Sequence, residues 1–309
     1  MERIDILLAT YNGEHFIDEQ INSIIKQKYT NWRLIISDDG STDNTNKILE
    51  KYVDNKKIFI VNTQKHGNPK DNFLDLLNYA TSNWIMFADQ DDYWEEDKIM
   101  NAYESIRNFN NCNYPVVSYS DLKVVDEKLN LINSSFFKMQ GISPTNKLQF
   151  FLTQNCIAGC TTIFNKAMKE YLKLINETCN IMMHDWAMGL IASTFGKVVY
   201  NSKVNILYRQ HQNNNVGANN IYSFKFLFHK MKNIKKVFYN IKLTQKQAGE
   251  IYKLLHRMEY IPINLENLNL LKIYSNFSNY NKLMRIHFLF KYKIIRKNFF
   301  RNLILILAC

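Results

Sequence analysis

The stretch Trp84-Ile85-Met86-Phe87-Ala88-Asp89-Gln90-Asp91-Asp92-Tyr93-Trp94 carries the clearest structural signal in the chain. Its first five residues form a continuous apolar run, which is typical of a strand buried within a parallel sheet. Three carboxylates, those of Asp89, Asp91 and Asp92, follow within four residues. Carboxylates at the end of a buried strand are costly unless a cation lies among them, and Mg²⁺ or Mn²⁺ shared with substrate phosphates is the usual one. The alternative is an acidic turn that caps the following helix.

Strands and helices alternate along the first ninety or so residues. Largely apolar segments at residues 4–9, 32–36, 58–61 and 84–88 predict four strands, and apolar residues at helical spacing predict a helix after each of the first three. This alternation indicates an α/β fold with a mostly parallel sheet flanked by helices. The acidic loops 38–39 and 89–92 both follow strands, so we expect them at one carboxyl edge, where such sheets bind nucleotides. The sequence contains neither a Gly-rich dinucleotide motif nor a P-loop.

The later part of the chain shows weaker patterns. Helices are predicted at residues 95–108, 146–151, 167–174 and 187–194, and strands at 116–119, 122–125, 161–164, 197–200 and 204–208. Residues 212–220 are rich in Asn and adjoin a change in charge, which is typical of a boundary. We therefore predict an α/β domain at residues 1–220 and a helical basic region at residues 221–309.

Charge is unevenly distributed. Residues 221–309 hold 17 Lys and Arg against three Asp and Glu, a net charge of +14 that leaves −3 for residues 1–220. This asymmetry suggests an anionic partner for the C-terminal region, either nucleic acid or a membrane surface. Phe288, Tyr292, Ile295 and Phe299 recur at helical spacing beside Lys and Arg. That pattern favours a peripheral contact with an anionic membrane over helices that only pack on the core.

The remaining composition predicts a cytoplasmic protein. No apolar segment with a cleavage site follows Met1, and no uninterrupted apolar span reaches the roughly 18 residues that cross a bilayer. Five cysteines, an odd number, fit reduced thiols rather than a disulfide framework. Cys156 and Cys160 lack a second Cys/His pair at zinc-ligand spacing, so we expect them to be small buried residues.

Three motifs occur in a fixed order along the first part of the chain. They are Thr10-Tyr11-Asn12-Gly13, Asp38-Asp39-Gly40-Ser41-Thr42-Asp43 and Asp89-Gln90-Asp91-Asp92-Tyr93-Trp94. Their order and spacing resemble those of the family 2 glycosyltransferases, which have the GT-A fold. The last motif is most similar to the bacterial branch of rhamnosyl- and galactosyltransferase-like enzymes that build surface polysaccharides. The resemblance covers residues 3–218 and leaves the basic region outside.

The resemblance implies a site for a nucleotide-sugar. Tyr11 and Asp39 would contact the base, Asp91 would ligate the metal on the diphosphate, and Asp89 would face the ribose or the metal. Asp92 could share either task. Mn²⁺ or Mg²⁺ on Asp91 and Asp89 would stabilise charge on the leaving oxygens. The positions expected to bind the nucleotide-sugar are Thr10, Tyr11, Asn12, Asp38, Asp39, Asp89, Gln90, Arg209 and His211.

The resemblance also implies a catalytic base. The family places an acidic residue at the start of a late helix, and Asp185 occupies that position. Its neighbour His184 departs from the family pattern, which more often has Glu there. As the base, Asp185 would accept the proton of the acceptor hydroxyl. The alternative is that Asp185 only caps a helix beginning at Ala187.

Further positions follow from the same resemblance. Arg209 could pair with a phosphate bidentately, and His211 lies where related chains carry a basic residue near the diphosphate. An ordinary histidine with its hydrogen bonds satisfied is the alternative for His211. Gly159, Thr161 and Trp186 are expected to line the acceptor site.

We therefore expect an inverting, metal-dependent glycosyltransferase that uses a dTDP- or UDP-sugar. The sugar would be rhamnose- or galactose-like, and the acceptor a lipid-linked glycan of a capsule, O-antigen or lipooligosaccharide. One alternative is a metal-dependent nucleotidyltransferase, but residues 10–14 lack the cationic loop that such an enzyme usually needs. Another is a nucleic-acid-binding protein acting through the basic region, against which the acidic residues 1–220 argue.

Overall fold

A seven-stranded sheet forms the centre of the molecule. The computed structural model describes residues 1–61, 64–178, 181–211, 234–254, 264–294 and 299–308. The sheet has the order β10-β6-β9-β4-β1-β2-β3, and β9 alone among these strands runs antiparallel to its neighbours in the described chain. Its strands are β1 (Ile4–Thr10), β2 (Trp32–Asp38), β3 (Ile58–Val61), β4 (Trp84–Asp89), β6 (Val116–Ser120), β9 (Ile163–Asn165) and β10 (Lys197–Asn201). The predicted mostly parallel sheet is confirmed.

A smaller sheet lies beside the acidic stretch and was not predicted. It has the order β5-β11-β7-β8, formed by β5 (Tyr93–Trp94), β7 (Lys123–Val125), β8 (Leu131–Asn133) and β11 (Ile206–Arg209). β11 pairs antiparallel with β5, so Leu207 lies opposite Tyr93. This pairing brings the chain at residues 206–211 next to the carboxylates that follow β4.

Helices cover both faces of the central sheet. They are α1 (Ile17–Ile25), α2 (Thr45–Leu49), α3 (Pro69–Leu76), α4 (Lys98–Ile106), α5 (Phe136–Gln140), α6 (Leu148–Phe151), α7 (Lys166–Thr178), α8 (His184–Phe195), α9 (Ile234–Lys253), α10 (Leu265–Ser275), α11 (Lys282–Lys291) and α12 (Phe299–Ala308). Ile6 and Leu8 of β1 belong to the buried cluster that includes α1 and α4, whereas Leu7 and Ala9 belong to the cluster that includes α3, α7 and α8. Burial on both faces explains why the strand sequences are largely apolar.

Asp5 fixes the register at the amino edge of the sheet. Its carboxylate is fully buried and accepts two hydrogen bonds from Arg33, at 3.1 and 2.9 Å. The backbone amides of Thr81 and Ser82 donate to the same carboxylate at 2.6 and 2.9 Å. Burial alone would raise the pKa of Asp5, but these hydrogen bonds outweigh it and hold the pKa below its usual value. The network joins β1, β2 and the turn before β4.

The described C-terminal helices pack on the same core as α8. Ile251 of α9 and Leu271 of α10 are fully buried in the cluster that contains α8. The side-chain amide of Asn267 donates to the Ser193 carbonyl at 2.7 Å. The backbone amide of Met182 donates to the side-chain oxygen of Gln247 at 2.8 Å. The predicted boundary at residues 212–220 lies outside the described residues, so the division into two domains stays a prediction.

Two members of the aromatic stripe expected to face a membrane, Phe288 and Tyr292, pack against the core. Phe288 packs against Tyr280 and Tyr292, with ring centroids 5.1 and 6.0 Å away, and is partly buried against the core. Ile295 and the side chain of Phe299 lie outside the described residues. The exposed apolar residues of α11 are Leu283, Met284 and Phe290, because this helix is apolar on two sides. No helix within the described ranges is long and apolar enough to cross a membrane.

Candidate active site

Parallel pairing brings three loops to one edge of the central sheet. In the register of these strands Thr10 lies opposite Asp38, and Ala9 lies opposite Asp89. The loops that follow β1, β2 and β4 therefore meet at the carboxyl edge, as the sequence predicted. The motif residues Thr10, Asp38 and Asp89 are neighbours in space because the strands that carry them are neighbours in the sheet.

Gln90 clamps the loop after β1. Its side-chain oxygen accepts hydrogen bonds from the Thr10 hydroxyl at 2.5 Å and from the Tyr11 amide at 2.9 Å, and its side-chain nitrogen donates to the Tyr11 carbonyl at 3.1 Å. A Cβ at Gly13 would lie 2.5 Å from the same oxygen, so a larger residue there would have to displace the Gln90 side chain. The amide of Gln90 thus positions this loop, and its expected contact with a nucleotide-sugar stays a prediction. The Tyr11 side chain stays 49% exposed at this edge.

Asn12 and Asp38 hold the second motif in shape. Asp38 accepts hydrogen bonds from the Gly40 and Ser41 amides at 3.2 and 2.8 Å. Asn12, in the left-handed region at φ 47°, donates from its amide to the Ser41 hydroxyl at 2.8 Å and accepts from the Thr42 amide at 2.9 Å. These two expected ligand residues build the loops in this structure.

Asp39 and Thr10 are also buried within this edge. The Asp39 amide donates to the Thr10 carbonyl at 2.8 Å, and the Asp39 carboxylate accepts from the His66 amide at 2.5 Å. Asp39 therefore fixes the loop around His66 against the motif. Its expected contact with the base of a nucleotide stays a prediction.

The carboxylates after β4 form a cluster with Cys160. Ligand atoms of Asp89, Asp92 and Cys160 lie within 4.8 Å of one another. Asp92 is fully buried, and neither carboxylate oxygen has a hydrogen-bond partner among the described residues. Burial raises the pKa of Asp92 well above its usual range, and the charges of Asp89 and Asp91 add to this effect. Burial, with the charge of Asp91, likewise raises the pKa of Asp89 to about 7.

These pKa shifts mark a cluster that is short of positive charge. A divalent cation would lower the pKa of each carboxylate and accept their oxygens as ligands. Burial and the charge of Asp92 raise the pKa of the Cys160 thiol well above its usual range, so Cys160 stays a thiol and is a poor ligand for a hard cation. The oxygen ligands present fit Mg²⁺ or Mn²⁺. Cys156 and Cys160 are both buried and free, as predicted.

His211 lies beside the carboxylates although it is 120 residues further along the chain than Asp91. Its Nε2 atom lies 2.7 Å from Oδ2 of Asp91, and its ring centroid lies 5.0 Å from that of Phe16. Asp91 and His211 are each partly buried, so both can reach a ligand at this edge. The Asp91 carboxylate offers oxygen of the kind that Mg²⁺ and Mn²⁺ prefer, and the His211 ring lies beside the same position.

Arg209 occupies a different position from the one expected. Its guanidinium is 2% exposed and donates to the Asp91 carbonyl at 3.0 Å, to the Glu127 carbonyl and to the Glu19 carboxylate. Because these donors face protein acceptors beneath the surface, the placement does not support a bidentate phosphate contact. Arg209 therefore holds the backbone of Asp91 through the hydrogen bond to its carbonyl.

Asp185 lies in the first turn of α8, which begins three residues earlier than predicted. Its Oδ1 atom accepts from the Trp186 amide at 2.6 Å and from the Asn155 side chain at 3.1 Å. Burial raises the pKa of Asp185 to about 7, although hydrogen bonds from the amides of Trp186 and Gly159 and from Asn155 oppose this rise. The charge of Asp185 also raises the pKa of Asp89, so the two carboxylates lie close enough to interact electrostatically. A carboxyl that titrates near neutral pH suits a general base.

His184, beside the candidate base, is buried and neutral. Burial lowers its pKa to about 4. Its ring lies against Phe73 and Phe87, with centroids 4.9 and 5.0 Å away. Gly159 leaves the space that the ring needs, because a Cβ there would lie 2.9 Å from Nε2 of His184. His184 therefore fills the space under Asp185 without adding charge.

The expected acceptor residues are only partly at the surface. Thr161 is buried and its hydroxyl donates to the Ala158 carbonyl at 2.7 Å, so its expected place in the acceptor site stays a prediction. Gly159 is partly exposed and its amide contributes to the environment of Asp185. Trp186 is partly exposed, and its ring nitrogen donates to the Phe151 carbonyl at 2.6 Å.

Sequence reasoning missed two polar residues near the carboxylates. Lys98 is buried, donates to the Thr161 carbonyl at 3.1 Å and has its pKa lowered by burial to about 8, with Cys160 and Asp92 opposing the shift. Asn155 contacts Asp185. Lys98 lies six residues after Asp92, which was an available signal, whereas nothing in the sequence around Asn155 indicated its contact.

The fold and the carboxylate edge together define a glycosyltransferase of the GT-A type. The structure is similar to residues 1–349 of Staphylococcus aureus TarS, with a TM-score of 0.57 and 19% identity over 89% of this chain and 72% of that one. It is also similar to the Pyrobaculum calidifontis mannosyltransferase PcManGT, solved with GDP-Man and Mn²⁺, at a TM-score of 0.50 and 12% identity over 94% of this chain and 74% of that one.

The chain belongs to glycosyl transferase family 2, whose model matches residues 5–172. The Shigella flexneri dTDP-rhamnosyl transferase RfbG is 34% identical over 77% of this chain and 82% of its own length. The Escherichia coli UDP-Glc:alpha-D-GlcNAc-diphosphoundecaprenol beta-1,3-glucosyltransferase WfgD is 30% identical over 52% of this chain and 58% of its own length. The recognised family is confirmed, and the protein is a glycosyltransferase.

Proposed function

We propose that the protein transfers a sugar from a dTDP- or UDP-sugar to a hydroxyl of a lipid-linked glycan, with inversion and with Mn²⁺ or Mg²⁺. The observation that carries this proposal is the meeting of Asp89, Asp91 and His211 at the carboxyl edge, with the titratable Asp185 acting on the same region. The acceptor chain would be a surface polysaccharide such as a capsule, O-antigen or lipooligosaccharide.

The donor would lie along the edge that the three motifs form. The ring of Tyr11 would stack on the base; its exposure, with the backbone held by Gln90, supports this contact. Asp91 and His211 would hold the cation, with Asp89 next to it. The cation, when bound, supplies positive charge to the leaving diphosphate.

Asp185 would act on the acceptor. Its pKa of about 7 allows it to be ionised at neutral pH and to accept the proton of the attacking hydroxyl. The hydroxyl oxygen then bonds to the anomeric carbon as the bond to the diphosphate oxygen breaks. Attack from the side opposite the leaving group inverts the anomeric configuration.

Two similarities support the choice of substrates. RfbG carries dTDP-rhamnosyl in its name, which favours a dTDP-activated deoxysugar as donor. WfgD acts on a GlcNAc-diphosphoundecaprenol, which favours a lipid-linked acceptor. The identity to RfbG covers more of both chains, so we give dTDP-rhamnose priority.

The membrane contact belongs to the same proposal. Leu283 and Phe290 of α11 are 79% and 60% exposed, on a helix that also carries Lys282 and Lys291. Exposed apolar side chains beside basic ones provide the two signals that a peripheral membrane protein needs. We place the protein in the cytoplasm, on the inner face of the cytoplasmic membrane, where a lipid-linked acceptor would be in reach.

A donor panel tests the proposal. dTDP-rhamnose, UDP-galactose, UDP-glucose and UDP-GlcNAc are each added with Mn²⁺, and thermal stabilisation and release of the nucleoside diphosphate are measured. We expect one donor to stabilise the protein and to be hydrolysed slowly. Asp54→Asn, at an exposed position, serves as the control for Asp91→Asn. Failure of every donor to stabilise the wild type would contradict the proposal.

A further inference from the structure

Arg209 bridges three segments that are far apart in the sequence. At the end of β11, its Nε atom donates to the Asp91 carbonyl at 3.0 Å, and its two terminal nitrogens donate to the Glu127 carbonyl and to the Glu19 carboxylate. The loop after β4, the turn after β7 and helix α1 are thus joined at one buried guanidinium. A planar fork of donors can make such contacts at once, whereas the single ammonium of Lys cannot reach them in the same geometry.

We infer that Arg209 and Glu19 form a positioning pair that holds Asp91 in the orientation needed to bind the metal. This inference rests on the proposed metal-dependent function and adds residues to it. Arg209 acts on Asp91 through the backbone carbonyl, so the carboxylate of Asp91 stays available. Glu19, on α1, neutralises the buried guanidinium; its side chain is 46% exposed.

Phe16 ties the same pair to the donor-binding loop. The Arg209 guanidinium lies over the Phe16 ring, 4.6 Å from its centroid. The centroid of the His211 ring lies 5.0 Å from the same Phe16 centroid. The Phe16 amide donates to the Gly13 carbonyl at 3.0 Å, which connects it to the loop that carries Tyr11. A change at Arg209 should therefore be felt at both the metal side and the base side of the site.

The charge of Glu19 matters more than its shape. Removing the counter-charge of a guanidinium that is 2% exposed is costly, because the remaining buried charge is then less well compensated. Glu19→Gln keeps the length of the side chain and an acceptor oxygen but removes the charge. The variant should loosen Arg209, and with it Asp91, without changing the chemical identity of any proposed metal ligand.

The experiment compares Glu19→Gln with Glu104→Gln, an exposed carboxylate on α4. Mn²⁺ is titrated into each protein in the presence of UDP or dTDP, with free Mn²⁺ followed by electron paramagnetic resonance and thermal stabilisation measured in parallel. We expect the Mn²⁺ concentration at half-saturation to rise about tenfold in Glu19→Gln, as when a residue that supports a metal ligand is lost, and to stay unchanged in Glu104→Gln. Turnover of Glu19→Gln should recover at saturating Mn²⁺.

Three outcomes separate the possibilities. Unchanged Mn²⁺ half-saturation in Glu19→Gln, with a melting temperature lowered equally with and without Mn²⁺, would overturn the inference and leave a purely structural pair. Absence of Mn²⁺ binding by the wild type would overturn the proposed function itself.

A second variant, Arg209→Gln, should raise the Mn²⁺ half-saturation further, and adding Glu19→Gln to it should have no additional effect. Additive effects of the two substitutions would contradict the pairing. If Arg209→Gln does not fold, the Glu19→Gln titration alone decides.

Discussion

The Nε2 atom of His211 lies 2.7 Å from Oδ2 of Asp91, although 120 residues separate them in the sequence. The two-residue strand β5 begins directly after Asp92 and pairs with β11, which ends two residues before His211. This pairing brings Asp91 and His211 into contact. The smaller sheet thus closes the carboxyl edge of the larger one. Asp91, from the loop after β4, and His211, from the chain after β11, therefore share one candidate metal site.

Asp91→Asn should abolish Mn²⁺-dependent nucleotide binding and turnover without unfolding the protein. The carboxylate is the proposed metal ligand, and its charge raises the pKa of both Asp89 and Asp92, so its removal relieves repulsion when no metal is present. Melting temperatures measured in EDTA and in Mn²⁺ with UDP or dTDP test this. Retention of the Mn²⁺-dependent stabilisation by the variant would show that Asp91 does not hold the metal.

Asp185→Asn should lose turnover and keep donor affinity. The amide cannot accept the proton of the acceptor hydroxyl, and loss of a general base lowers rates by about 10² to 10⁴-fold. Donor binding, followed by calorimetry, should match that of the wild type because the proposed donor contacts lie on other loops. Normal turnover in this variant would assign the carboxylate to helix capping.

The stability of the protein should show the cost of ionising Asp185. Its pKa is raised from 3.8 to about 7 by burial, so its contribution to stability is full below about pH 4 and is lost as pH rises through 7. In EDTA, Asp185→Asn should therefore gain stability relative to the wild type as pH rises from 5 to 8. Urea unfolding across that range measures the difference. A variant that becomes relatively less stable at pH 8 would contradict the raised pKa and support a charge interaction with the helix.

Asp5→Asn should destabilise the fold and spare the site. Removing one partner of the Asp5–Arg33 pair leaves a poorly compensated charge, at a cost of about 3–5 kcal/mol in unfolding free energy at pH 7. The pKa of Asp5 is lowered, so its contribution is present above pH 3.8 and is lost as pH falls further; the two proteins should converge in acid. Chemical denaturation gives the loss, and Mn²⁺ titration at low temperature should give the wild-type affinity. Equal stability at pH 7 would mean that the network contributes little.

The membrane contact should depend on α11. Leu283→Glu combined with Phe290→Glu should greatly reduce sedimentation with anionic vesicles at physiological salt, and neutral vesicles should bind neither protein well. Val53→Glu combined with Leu131→Glu is the matched control, because both positions are exposed and lie on other parts of the molecule. Equal binding by the two double variants would show that α11 is not the membrane-contacting helix.

The parallel core could be predicted because its strands are buried on both faces. β4 is apolar from Trp84 to Ala88 and β1 is apolar except for Asp5 and Thr10, and the carboxylates at the end of β4 break its apolar run abruptly. Position in the sheet then follows from the alternation of strands and helices. The edge that carries the site was therefore determined by local pattern alone.

The roles of individual site residues depended on contacts that local patterns do not contain. Gln90 and Arg209 were expected to face substrate, but tertiary pairing turns both toward backbone groups. The start of α8 was misplaced because its N-cap residue, Met183, makes no side-chain capping bond. On α11 both faces are apolar, so spacing alone selected Phe288, on the face that packs inward.

Release of nucleoside diphosphate from the donor, measured with and without metal, tests the central claim most directly. Wild-type protein is incubated with dTDP-rhamnose or a UDP-sugar in Mn²⁺, then in EDTA, and then in EDTA with Mn²⁺ restored in excess. The account predicts release from one donor that stops in EDTA and returns with Mn²⁺, while Asp91→Asn stays inactive throughout. Equal release in Mn²⁺ and in EDTA would contradict a metal-dependent glycosyltransferase built on Asp91.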